Sequence, residues 1–148
     1  MIKAYVADVE TYVENIIKRE VFSGFIVRSI VSRALEKAFQ DIFLETHERR
    51  RPSIIYISPL WVIEGRKIIE FIGDDSTYGF NIISLSVDVG EVAKEILSTG
   101  EYLLKDYRVE IISATLRKVK IKPIKVKEGD IIRMKFLSPT SFRSFHII

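Results

Sequence analysis

The order of periodic segments predicts an α+β domain of ferredoxin-like (RRM-like) architecture, βαββαβ. Such a domain has an antiparallel sheet with two helices on one face, here with extra strands. Three observations carry this. Residues 27–43 repeat apolar side chains at helical spacing, the strongest periodic run in the chain. A shorter run of the same kind starts at Asp88 or Val89. The segments around these two alternate apolar and polar residues with the period of a half-buried strand.

Taken in order, Met1 to Val9 alternates well enough for a first strand, and Glu10 to Glu20 reads as a connection with room for a short helix. After Gly24, the residues Val27, Ile30, Val31, Ala34, Leu35, Ala38, Phe39, Ile42 and Phe43 form one helical stripe. Arg28, Arg33, Glu36 and Lys37 fall on its other side. Pro52 disfavours helix at the preceding residue, so the helix ends before it. Ser53 to Trp61 is expected as strand two and Arg66 to Ile72 as strand three, a hairpin turning at Glu64-Gly65. Residues 73–79 form a polar loop and Phe80 to Val87 a further strand. The second helix turns Val92, Ala93, Ile96 and Leu97 inward and stops near Gly100. Lys105 to Lys122 is strand-like throughout, with a bend expected near Ala114, and Pro123 breaks it. After a turn at Glu128-Gly129-Asp130, Ile131 to Leu137 is expected to close the sheet.

At 148 residues, 47% of them hydrophobic, the chain is long enough for one ordinary core. It has no cysteine, which removes disulfides, thiol catalysis and cysteine-zinc sites. With two histidines as well, no metal and no cofactor is expected. Asp74-Asp75 reads as a polar turn rather than a cation site. No phosphate-cradling glycine loop and no zinc-helix motif is present. The absence of a long apolar run and of a secretory pattern suggests a cytoplasmic protein without membrane contact.

Charge is distributed unevenly. Residues 1–104 carry 12 Lys/Arg against 16 Asp/Glu, whereas residues 105–148 carry 11 against 4. A basic C-terminal part suits an anionic partner, RNA first. It equally suits a lysine-rich strand edge that discourages aggregation. The row Arg117, Lys118, Lys120, Lys122 embodies both readings, since one face of such a strand can follow a phosphate backbone while the other packs. Tyr56, Trp61 and Tyr78 have the same double reading, base stacking or core packing.

The best chemical candidate is His47-Glu48-Arg49-Arg50-Arg51. An imidazole takes a proton near neutral pH, and guanidiniums hold phosphate in bidentate fashion. Together they suit RNA cleavage by the RNA's own 2′-hydroxyl. The plain alternative is a solvated basic turn complementing a helix C-terminus.

Three separated signatures together resemble one family. They are Ser23-Gly24 opening a helix that carries Arg28, an Arg51-Pro52 strand ending Ile57-Ser58-Pro59-Leu60, and Ile132-Arg133-Met134-Lys135-Phe136-Leu137-Ser138-Pro139-Thr140. This is similar to the CRISPR-associated endoribonucleases of the RAMP superfamily that cut precursor CRISPR RNA within its repeats. The resemblance covers essentially the whole chain. It implies metal-independent cleavage leaving a 2′,3′-cyclic phosphate, with His47 as general base and Arg50 and Arg51 at the scissile phosphate. Arg28 and Arg49 would bind RNA beside Arg117, Lys118, Lys120 and Lys122.

The family joins two ferredoxin-like domains. Residues 1–137 correspond to the first, and 138–148 to the start of a missing second domain or a C-terminal tail. The family's glycine-rich C-terminal loop has no counterpart here. The resemblance therefore leaves two functional readings. One is a repeat-RNA-processing domain; the other is a non-catalytic RNA-binding or assembly module, completed by a homodimer partner or a separate chain supplying the second domain.

Overall fold

The computed structural model describes residues 2–38, 55–85, 89–122 and 124–133. Its strands are β1 (Ile2–Asn15), β2 (Val21–Phe22), β3 (Ile55–Ile57), β4 (Trp61–Val62), β5 (Phe71–Ile72), β6 (Ser76–Ser84), β7 (Glu101–Leu104) and β8 (Tyr107–Ile121). Helix α1 spans Ser23–Ala38 and helix α2 spans Gly90–Thr99. The main sheet is antiparallel and runs β3-β6-β1-β8-β7, with β4 also pairing β6. The whole is an α+β fold that is loosely ferredoxin-like.

One face of the sheet is the core face. Val9, Val13, Phe80, Ile82 and Val109 project from it and are fully buried. They meet Ile26, Val27, Ile30, Val31, Ala34 and Leu35 of α1, the stripe expected from helical spacing. From α2 come Val92, Ala93 and Ile96, whereas Leu97, expected inward, is exposed. Gly100 ends α2 at φ 73°, where a left-handed residue lets its N–H reach the Ile96 carbonyl.

The first strand does not end at Val9, and no helix follows it. Thr11, Val13 and Asn15 continue the inward alternation and Tyr12 and Glu14 the outward one, so β1 runs on to Asn15. The expected second strand is split. Ile55–Ile57 and Trp61–Val62 pair separately with β6, on either side of Ser58-Pro59-Leu60. A proline lacks the N–H that a continuous ladder needs. Nor is Arg66 to Ile72 a full strand. Its hairpin contact with Trp61 is the single bridge to Ile68, flanked by Val62 N–H to Lys67 O and Ile69 N–H to Leu60 O. Phe71–Ile72 pairs with β2 instead. The third main strand is therefore β6, which absorbs part of the expected polar loop.

Two buried contacts fix this region to α1. The Ser23 hydroxyl donates to Ile69 O at 2.6 Å and accepts from Leu60 N–H at 3.2 Å. At Gly79 the Trp61 indole lies so close that a Cβ would overlap it.

The described part of the expected closing strand, Ile131 to Arg133, does not join the sheet. Ile131, Ile132 and Arg133 are exposed and belong to no strand, and 134–137 lie outside the described residues. The place beside β1 is already filled by the 15 residues of β8. The expected turn near Gly129 does form, with Asp130 N–H donating to Lys127 O.

β8 changes the face of its alternation along its length. The expected bend is a β-bulge: Thr11 pairs with Ile111 and Glu10 with Ser113, leaving Ile112 as the extra residue. Before the bulge, odd-numbered Tyr107, Val109 and Ile111 face the core. After it, Ala114, opposite Val9, does so, and the even-numbered residues beyond take the same face.

Burial raises the pKa of Tyr78, Tyr102 and Tyr107 above the ordinary phenol value. Folding therefore holds protons that the unfolded chain releases. The stability these groups contribute is complete below about pH 10 and falls as pH rises past it. A melting-temperature series from pH 8 to 11 is expected to stay level and then decline above about pH 10.

Candidate nucleic-acid interface

Past the bulge, β1 and β8 run on beyond the cover of α2, and the core face opens to solvent. Leu116, opposite fully buried Ala7, is 53% exposed. The next residues on that face are Lys118, opposite Tyr5, and Lys120, opposite Lys3. Lys122 is exposed immediately after the strand. Alternate residues of one strand stand roughly 7 Å apart on the same side. The result is a ledge of lysines, Lys3 among them, at the end of the sheet.

The ledge is electrostatically uncompensated in one respect. Lys3 and Lys120 are directly cross-strand, an arrangement that costs stability unless an anion lies between or over them. The Lys118 ammonium sits 5.6 Å from the Tyr5 ring centroid, a cation–π contact that holds it upright beside the aromatic face. Tyr5, Val6, Leu116, Arg117 and Lys118 line a hollow of about 180 Å³ together with Val89, which precedes α2. The positive end of the α2 dipole thus faces the same region.

Within the expected basic row, Arg117 is set apart by its register and its ion pair. Arg117 pairs with Val6 and so points to the opposite face of the sheet. Its Nε donates to the Asp8 carboxylate at 2.7 Å, and this hydrogen bond raises the guanidinium pKa further. Strand alternation gives Arg117 the opposite direction from Lys118 and Lys120, although it borders the same hollow as Lys118. Arg28 is exposed on α1, a different element, and does not line the hollow beside the ledge. His47, Arg49, Arg50 and Arg51 lie outside the described residues.

Of the three aromatic candidates, Trp61 and Tyr78 are core residues and Tyr56 is exposed. Lys3 and Tyr5 were not singled out from the sequence. Their alternation was visible, but their pairing with Lys120 and Lys118 depends on a register set across more than a hundred residues. Among the described residues no group of three potential metal ligands converges. No helix there is long and apolar enough to cross a membrane.

No protein-family model matches the chain, and no curated protein matches it. Solved structures do. A chain described as CRISPR associated protein Cas6 superimposes with a TM-score of 0.50 at 10% identity, covering 80% of this chain and 51% of that one. A Cas6 product complex gives a TM-score of 0.52 at 14% identity, covering 77% and 40%. The chain thus spans about half the length, or less, of these two proteins. At such identity the likeness is one of fold.

Proposed function

We propose that this chain binds RNA through the lysine ledge and serves as one domain of a CRISPR-repeat-RNA-processing protein of the Cas6 kind. One observation carries the reading. On a fold shared with part of two Cas6 chains, Lys3, Lys118 and Lys120 share one open face, with two of them directly opposed. Lysines set directly against each other across β1 and β8 repel one another, which goes beyond what an edge needs to resist aggregation. A phosphate backbone relieves that repulsion.

Within this proposal His47 is the general base and Arg50 and Arg51 contact the scissile phosphate, with Arg28 and Arg49 guiding the strand. The cut would need no metal and would leave a 2′,3′-cyclic phosphate. A non-catalytic module that relies on a second copy or another chain for its second domain is the rival reading.

Fluorescence anisotropy with a labelled CRISPR repeat RNA tests binding, and incubation of the same RNA in EDTA tests cleavage. The expected results are salt-sensitive affinity, and cleavage abolished by His47→Ala while binding persists. Binding that is absent or indifferent to salt would overturn the interface. Cleavage that needs metal, or that survives His47→Ala, would overturn the catalytic assignment. Binding with no cleavage selects the rival.

A further inference from the structure

The outer face of the β2-β5 ribbon carries an aromatic strip that neither the core nor the ledge uses. Phe22 and Phe71 are cross-strand partners, and Phe25 follows in the first turn of α1. The Phe22 ring meets both of the others edge to face, with centroids 5.4 Å from Phe25 and 6.1 Å from Phe71. Gly24 makes room for it, because a Cβ there would overlap the ring. The three rings thus form one ordered surface, yet Phe25 is 60% and Phe71 55% exposed. A contiguous apolar patch left in water and rimmed by polar groups marks a protein contact.

The strip has a charge at each end, and these say what covers it. Glu20 stands at the ribbon end, two residues before Phe22. It lies against Gly73, two residues after Phe71, where a Cβ would be 3.3 Å from the Glu20 Cγ. Arg28 stands at the helix end, one turn after Phe25 on the same side of α1. Both are exposed, and neither makes an ion pair or a side-chain hydrogen bond among the described residues. The strip is therefore neutral as a whole, acidic at one end and basic at the other. A polyanion has no reason to prefer it, but the same strip turned end for end does. A two-fold axis through the rings sets Phe against Phe and each Glu20 against an Arg28.

We infer that this strip is a self-association surface, on which a second copy of the chain docks about a two-fold axis. Aromatic anchors at the centre with charges at the rim are the usual anatomy of such a contact. A rim pair occupies only part of a guanidinium, so the remaining N–H groups of Arg28 stay open to the RNA role proposed above. The ribbon is tied to Asn15 through Gly73 O, at the opposite end of β1 from Lys3. Docking there leaves the lysine ledge free.

Sedimentation equilibrium of the full chain tests this, without RNA, so the outcome is independent of the reading of the ledge. The expected result is a reversible monomer–dimer equilibrium. Phe25→Ser and Phe71→Ser should each weaken it by about tenfold or more, since each change removes an anchor from both sides of the contact. Glu20→Arg and Arg28→Glu should each give a monomer, because each sets like charges together twice. Mixing these two monomeric variants should restore a dimer of one copy of each, because every rim pair is then opposite in sign. All four positions are exposed, so the circular dichroism of every variant should match that of the original chain. A chain that stays monomeric at every concentration overturns the inference and leaves the strip to a different protein. A dimer that survives both phenylalanine changes and both charge reversals overturns it too, and puts the contact elsewhere. Failure of the mixed variants to pair would also overturn the two-fold arrangement.

Discussion

Replacing Lys118, Lys120 and Lys122 together by glutamine is expected to weaken RNA binding about a hundredfold at 0.1 M salt. Each phosphate contact to a single strand contributes about 0.7 to the slope of log affinity against log salt. Three lost contacts lower the slope by about 2, which gives that factor between 1 M and 0.1 M salt. The three side chains stand at an open end of the sheet, so the melting temperature should stay the same or rise as the crowding with Lys3 is relieved. Arg117→Gln is the control. It removes one positive charge from the same strand but from the other face, where the guanidinium is already bound to Asp8. Its effect on RNA affinity should be under about threefold. Equal losses for Arg117→Gln and any one lysine variant would mean that net charge, not the ledge, attracts the RNA.

Asn15→Ala is expected to cost about 3 kcal/mol, read as a melting temperature lower by roughly 10 °C. Asn15 is 1% exposed at the end of β1 and joins two loops. Its side-chain amide donates to Arg19 O at 2.9 Å and to Gly73 O at 2.8 Å. Its carbonyl oxygen accepts from Lys18 N–H at 2.9 Å, and its own N–H donates to the Asp75 carboxylate at 2.7 Å. The bond to Lys18 holds that residue at φ 56°, a left-handed conformation that costs a non-glycine residue energy. Alanine breaks all three side-chain bonds at once. Asn15→Asp should be no better, because a carboxylate would face two carbonyl oxygens. A loss below about 0.5 kcal/mol in thermal or denaturant unfolding would show that the two loops close without the clamp.

Helix α1 was legible because its apolar stripe, Val27 to Leu35, is the face that is buried. The second helix was legible for the same reason, with Gly100 as its stop, and Leu97 was misplaced because it sits at the margin of the stripe. Asn15 was not legible: a polar residue after a strand reads as a loop, and only the carbonyls of Arg19 and Gly73 give it a reason to be buried. The expected hairpin from Arg66 misled for a related cause. Ile68 and Ile69 have strand composition, but their pairing stops at one bridge to Trp61 and the two hydrogen bonds that flank it.

The sequence by itself determined the order of the main elements, the apolar faces of both helices and the excess of positive charge in the C-terminal part. These are local or summed properties, and periodicity or counting reads them directly. Only the tertiary structure decided which lysines share a face. The bulge at Ile112 assigns the even positions of β8 to the open face, and the pairing of β1 with β8 brings Lys3 and Tyr5 to Lys120 and Lys118. Cross-strand register and helix packing join residues far apart in the chain, and no local pattern encodes that distance.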